Sequence, residues 1–145
     1  MTVTASIIDG AVPRVLPRLT PENRPFWTGG AKGALLIQRC DACDRWVHPP
    51  TDVCPTCGGP LHPEAVSGRG TIFTFTVNVH QFHPDVPPPV VIAIVELVEQ
   101  SDLRLPTNIV GAEVDELRCG LPVQVVFERN GEVYIPLFTP VDERA

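Results

Sequence analysis

From residue 71 onward the chain alternates. In T-I-F-T-F-T-V-N-V-H, residues 71–80, an apolar side chain stands beside a polar one almost throughout. That is close to the period-two signature of a half-buried strand. Residues 90–98, V-V-I-A-I-V-E-L-V, form a β-branched apolar run that reads as a central strand. Residues 104–110 give a weaker strand, which Pro106 confines to a sheet edge or a bulge because proline donates no ladder hydrogen bond. Residues 113–119 read as a turn or a single helical turn, ended by Gly120. Residues 122–128 alternate again, Asn130-Gly131 is a strong hairpin signal, and residues 133–138 complete the hairpin. Five strands separated by turns predict a small β-barrel. By strand count the five-stranded OB-fold leads, with an SH3-type barrel as the alternative.

The first half has a different pattern. Residues 1–19, with Pro13 and Pro17, show no period and read as an extended arm ordered against a partner. Residues 20–31, T-P-E-N-R-P-F-W-T-G-G-A, predict a short helix with Thr20 as N-cap and Pro21 at its first position. Pro25 is tolerable near the first turn, and Gly29-Gly30 ends the helix. Phe26 and Trp27 are adjacent and cannot share one narrow face. One packs on the core and the other is half exposed, or one of them anchors a partner protein, where aromatic residues are enriched. Residues 34–39 form a strand leading into Cys40, and Pro60 and Pro63 close the segment that follows. Residues 64–70 read as a linker. The expected organisation is mainly β: an N-terminal arm and helix over 1–33, a cysteine-rich ribbon over 34–63 and a barrel domain over 64–145.

Composition narrows the function classes. Seventeen prolines leave little room for long helices. The net charge of -6, with only 11 Lys and Arg, argues against a nucleic-acid partner, because phosphate binding relies on clustered cations. No apolar run is long enough to span a membrane, so no membrane partner is expected. The first residues lack a secretory pattern, and five cysteines then fit a reducing cytoplasm, where closely spaced pairs hold metal rather than disulfides.

The chemistry is concentrated in C-D-A-C-D-R-W-V-H-P-P-T-D-V-C-P-T-C-G-G. Two C-x-x-C knuckles, Cys40 with Cys43 and Cys54 with Cys57, can point four sulfurs at one ion and complete a zinc tetrahedron with no open position. Such a site is structural. Gly58-Gly59 suits the second knuckle, whereas Asp44 stands where the first would favour glycine. A redox C-x-x-C would need a βαβ unit, which is not visible, and iron is the less common occupant of a closed ribbon. Trp46 is expected to shield the metal. His48 could replace a cysteine but is redundant beside four sulfurs.

Little else points to catalysis. His80 and His83, in H-Q-F-H-P-D, are the remaining candidates, for a ligand channel. In a strand they would face opposite sides, in a loop they could converge, and Asp85 is near enough to orient one of them. Asp115 and Glu116 read as solvated turn residues, and Cys119 as a buried inert thiol. No phosphate loop, nucleophile elbow or dinucleotide fingerprint appears.

The order T-P-E-N-R-P-F-W, L-L-I-Q-R-C-D-A-C, C-P-T-C-G, G-R-G-T-I-F-T-F-T-V, G-L-P-V-Q-V-V-F-E resembles the family called domain of unknown function 35, over about residues 20–138. Asp44 departs from that family's usual glycine. The resemblance implies a rubredoxin-like zinc ribbon joined to an OB-fold. It further implies a subunit without catalytic residues of its own, associated with a thiolase-like enzyme that works on acyl-coenzyme A thioesters. The nearest analogy is the partner of a thiolase-like aldolase that cleaves a steroid side-chain coenzyme A thioester by a retro-aldol reaction, for example as two copies of each subunit with acyl-coenzyme A near the interface. A bridge between thiolase and hydroxymethylglutaryl-coenzyme A synthase is a second form of the same role. A single-stranded nucleic-acid module is the alternative from a different class, against which the acidic balance counts.

Overall fold

The computed structural model describes residues 5–10 and 13–141. Residues 1–4 and 11–12 of the expected arm and residues 142–145 of the expected barrel domain lie outside the described residues. The arm contributes β1 (Ile7–Asp9). Helix α1 spans Arg24–Thr28 and runs into a 3-10 turn, Gly29–Lys32. Next come β2 (Leu35–Cys40), β3 (Trp46–Val47) and β4 (Leu61–Val66). The second half holds β5 (Arg69–Asn78), β6 (Val90–Leu97), β7 (Arg104–Asn108), a 3-10 turn (Val114–Glu116), β8 (Pro122–Asn130) and β9 (Val133–Pro140).

The last five strands form the expected OB-fold barrel. β5, β6 and β7 pair antiparallel in order, β8 pairs with β9 and with the start of β5, and a parallel bridge from Ile109 to Phe138 closes β7 onto β9. β7, which carries Pro106, ends the antiparallel path, as its proline predicts. The alternation in β5 slips at Ile72-Phe73, and the ladder has its bulge there. Ile72 is 1% exposed and Phe73 46%, and the extra residue turns Phe75 and Val77 back toward the core. At the hairpin, Asn130 is the last strand residue and Gly131, at φ +65°, begins the two-residue loop.

Four expectations are corrected. The arm is ordered against its own barrel: β1 lies parallel to β8 at residues 127–129, just past the point where β5 leaves that edge. Arg14 then reaches the buried Glu128 with its guanidinium fork (Nη2 to Oε2, 3.2 Å). The expected linker over 64–70 is mostly strand, since β4 pairs with β2 from Leu35–Val66 to Cys40–Leu61 and only residues 67–68 intervene before β5. Gly29-Gly30 continues the helix as a 3-10 turn, which ends at Gly33 (φ +69°). A Cβ on Gly30 would come within 2.5 Å of Tyr134, so glycine lets this turn sit on β8 and β9. The expected Thr20 N-cap and Pro21 first position are also displaced: α1 has Asn23 as N-cap and Pro25 in its first turn. Thr20 closes the turn ahead of it, its Oγ1 accepting the Asn23 N–H (3.2 Å) and its own N–H donating to Asn23 Oδ1 (2.7 Å).

Strands β3-β2-β4 form the ribbon's sheet. Leu35, Ile37, Trp46 and Val66 from this sheet share one apolar cluster with Ile72, Val95, Phe127 and Phe138 of the barrel. Ribbon and barrel therefore have a common core, which sets the ribbon's orientation.

Candidate metal centre and surrounding surfaces

Each knuckle is built by the same backbone device. Asp44 N–H donates to Cys40 O (3.0 Å) and Gly58 N–H to Cys54 O (2.8 Å). Both residues are left-handed, Asp44 at φ +62° and Gly58 at φ +76°. Asp44 thus adopts the conformation that made it conspicuous in the sequence. Gly59 leaves no room for a side chain, because a Cβ there would lie 2.9 Å from Ala42 Cβ and 3.0 Å from Cys40 Sγ.

The four sulfurs converge within 4.8 Å of one another, with Cys40 to Cys57 at 3.4 Å and Cys43 to Cys54 at 3.8 Å. The N–H groups of Ala42 and Cys43 donate to Cys40 Sγ at 3.4 Å. Backbone donors favour thiolates here. The Cys57 N–H leads in pulling the Cys54 thiol down to about 6, and the Cys43 N–H lowers Cys40. At Cys57 the Gly59 N–H also lowers the pKa, but the three neighbouring sulfurs together outweigh it and push the thiol up to about 12. Four clustered sulfurs cannot all ionise against one another without a shared cation, and a tetrahedral thiophilic dication supplies one. Cys40 and Cys54 are buried, Val47 and Leu61 pack beside them, and all four ligand positions are filled by protein. The centre holds one structural zinc ion.

Trp46 does not shield this metal. It packs into the shared core and lies under the Arg39 guanidinium (4.8 Å), while Val47 takes the place beside the sulfurs. His48 is no ligand. Its ring packs on Phe26 at 4.8 Å, burial holds its pKa down at about 4, and Nδ1 is buried without a hydrogen-bond partner. One feature of the ribbon had no signal in the sequence. His62 on β4 stands between Asp41 and Glu64 (Nε2 to Oε1, 3.2 Å), and Arg39 Nη1 reaches Glu64 Oε2 at 2.8 Å.

Phe26 is buried in the core, and Trp27 is half-buried and meets it edge-to-face at 4.8 Å. Trp27 also lines an approximately 780 Å³ cavity between α1, the ribbon's residues 48–52 and β7. His80 and His83 sit in the exposed loop between β5 and β6. His80 meets the Phe82 ring at 5.8 Å, whereas His83 Nδ1 accepts the Asp85 N–H at 3.1 Å. Each is engaged locally. Cys119 is exposed rather than buried, because residues 118–120 form a surface turn before β8. Asp115 and Glu116 are exposed, and Glu116 Oε1 accepts the Glu113 N–H.

Among the described residues no helix is long and apolar enough to cross a membrane. A family model described as "ChsH2, rubredoxin-like zinc ribbon domain" matches residues 27–62, and one described as "ChsH2, C-terminal OB-fold domain" matches residues 63–128. The "Probable enoyl-CoA hydratase alpha subunit" of Thermomonospora curvata is 38% identical over 130 residues, covering 88% of this chain and 40% of that protein. The "3-oxo-4,17-pregnadiene-20-carboxyl-CoA hydratase alpha subunit" of Mycobacterium tuberculosis is 36% identical over 113 residues, covering 77% and 35%. The chain thus spans well under half the length of the curated relatives it matches. Among solved structures, a chain of the "Ltp2-ChsH2(DUF35) aldolase" superposes with a TM-score of 0.74 at 37% identity, over 86% of this chain and 98% of that one. A protein of unknown function from the DUF35 family of Sulfolobus solfataricus shares the fold, with a TM-score of 0.62 at 14% identity over 83% and 86%. Zinc knuckles, OB-fold topology and these matches agree: the chain belongs to the DUF35 family, whose ChsH2-type members join a rubredoxin-like zinc ribbon to an OB-fold.

Proposed function

We propose that this chain is a cytoplasmic subunit of an acyl-coenzyme A-processing complex, partnering a thiolase-like aldolase in retro-aldol cleavage of a steroid side-chain coenzyme A thioester. The carrying observation is the 37% identical match that covers 98% of the DUF35 chain of a two-protein aldolase. The hydratase alpha subunits among the curated relatives, one of them for a steroid-type carboxyl-coenzyme A, support the substrate class. In this reading the chain's work is structural. The zinc fixes the ribbon and the shared core fixes ribbon to barrel. Trp27, beside the cavity between them, contacts the partner near its acyl-coenzyme A, while Phe26 supports it from the core.

The nucleic-acid reading finds little support on the outer face of β6 and β7, where OB-folds take oligonucleotides. Ile92 and Ile94 are exposed there. Arg104 is occupied, with its guanidinium 3.8 Å over Phe73 and Nε 2.9 Å from Glu96. The test is tagged purification from the native cell with mass spectrometry of whatever binds, followed by assay of a steroid coenzyme A thioester. A thiolase-like protein in the complex, with cleavage by the pair and not by this chain alone, is the expected result. Recovery of nucleic acid, or of no protein, would overturn the proposal.

A further inference from the structure

We infer that the barrel end remote from the zinc is a docking surface for the partner enzyme, and that it takes an apolar segment flanked by Lys or Arg. The inference rests on the enzyme-subunit reading above and adds where, and by what chemistry, the contact is made.

Three segments surround one cavity of about 420 Å³ at this end. They are the strap around Pro13 and Arg14, the β5–β6 loop at Val86, Pro87 and Pro89, and the turn at residues 109–114. β6 separates this end from the ribbon. The loop enters β6 at Val90, whereas the ribbon is held through Gln100 and Asp102, beyond its other end. Eight residues of strand put the two ends about 25 Å apart.

The three most exposed large apolar side chains among the described residues lie on the strap and the loop, Val15 next to Arg14, and Val79 and Phe82 in the loop that carries Val86. Val15 is 101% exposed, Val79 77% and Phe82 74%. Scattered apolar residues are ordinary on a surface, but here the three most exposed stand on two of the segments that form one concavity, itself lined by Pro13, Val86, Pro87, Pro89, Ile109 and Val114, which marks an interaction site. These are also held in place. Arg14, beside Val15, is locked to Glu128 and to Asn108 Oδ1 (3.1 Å), which fixes the strap. The loop carrying Val79 and Phe82 is braced by Gln81 Nε2 to Pro84 O (3.1 Å) and Val86 N–H to His83 O (3.0 Å), and by Pro87, Pro88 and Pro89. A preordered aromatic anchor loses little entropy on binding, which is how hot spots gain their strength.

Charge selects the occupant. Glu113 lines the cavity, and Asp85, next to Val86, and Asp115 and Glu116, following Val114, are exposed carboxylates beside its lining residues. An acidic rim repels an anionic lipid surface and nucleic acid, and it attracts a protein segment with cations beside its apolar side chain. Arg14 also lines the next hollow along, with Ile92, Pro106 and Trp27, so the surface continues toward the face assigned to the partner above.

The experiment uses the full chain with the thiolase-like subunit from the same cell, comparing Val15→Asp, Phe82→Asp and Val98→Asp. Val98 is 64% exposed but follows β6 at the ribbon end, so it controls for a new surface charge. Zinc content and thermal unfolding verify that each variant is folded. Expected are at least ten-fold weaker binding for Val15→Asp and Phe82→Asp, near wild-type binding for Val98→Asp, and weakening of the wild-type complex by added NaCl. Wild-type affinity in both rim variants would overturn the docking surface while leaving the subunit reading intact, as would a loss confined to Val98→Asp. A wild-type chain that fails to bind the enzyme at all would remove both. Binding to anionic vesicles that depends on Phe82 would overturn the choice of a protein occupant.

Discussion

Trp46 and Gln100 exchange two hydrogen bonds across the ribbon–barrel boundary: the Trp46 N–H donates to Gln100 Oε1 at 3.0 Å, and Gln100 Nε2 donates to Trp46 O at 3.0 Å. One side-chain amide thereby satisfies both backbone groups of a buried residue on the short strand β3. Arg45 reinforces the joint from the neighbouring position by pairing with Asp102. Gln100→Ala leaves the Trp46 N–H and carbonyl without these partners. A loss of about 1–3 kcal/mol is expected, measured by urea unfolding, with faster amide exchange at residues 46–47 than in β6.

Arg14→Ala should cost more, about 3–5 kcal/mol, because it leaves Glu128 as an unpaired charge in the barrel wall. Glu128 is 5% exposed, and Asn130 Nδ2 at 3.0 Å gives its carboxylate a neutral donor only. Glu128→Gln in the same chain should recover much of the loss. Urea unfolding of the two single variants and the double variant forms the cycle that measures the coupling.

The contrast between these two pairs explains what was legible in the sequence. The cysteine spacing, the five barrel strands, the edge position of Pro106 and the left-handed Asp44 are local facts with local signals. The bulge at Phe73 lies at the adjacent apolar pair Ile72-Phe73, which reading residues 71–80 as a near-regular alternation passes over. Arg14–Glu128 and Trp46–Gln100 join residues far apart in the chain, and nothing in either neighbourhood announces its partner. For the same reason β1 lay concealed in an aperiodic arm, since its strand geometry comes from the β8 edge left open where β5 departs. Trp46 was misread because position in a two-residue strand does not decide which face looks at the metal and which at the barrel.

Asp44→Gly should stabilise the chain by roughly 0.5–1 kcal/mol, since glycine holds φ +62° without the Cβ crowding that aspartate must bear. Asp44→Val should destabilise it, because β-branching makes the left-handed region less accessible. Thermal unfolding of zinc-loaded protein checks both signs.

Zinc removal should act regionally. Beyond its sulfurs the ribbon's own interior is Val47 and Leu61 alone, too little to hold two knuckles. Leu35, Ile37 and Val66, in contrast, are tied to the barrel core. Chelation, or Cys54→Ala, should therefore abolish amide-exchange protection across residues 40–59 and weaken it in β2 and β4, with β5 and β6 retained. Loss of protection throughout the barrel would mean that the shared core depends on the metal.

Two histidines should shape the pH dependence in opposite directions. His48 is held at about 4 by burial, against 6.5 when unfolded. Between those values the unfolded chain binds the extra proton, so stability falls as pH drops from 6.5 toward 4, by up to about 3 kcal/mol. His62 is raised, first by its hydrogen bond to Glu64 and then by Asp41. Its contribution is fully present below 6.5 and is lost as pH rises through the folded value. His48→Leu should flatten the acid side of the profile and His62→Gln the neutral side. Zinc content must be followed in parallel, because protonation of the thiolates releases the metal at low pH. An acid slope that persists in His48→Leu at constant zinc occupancy would assign the acid sensitivity to groups other than His48.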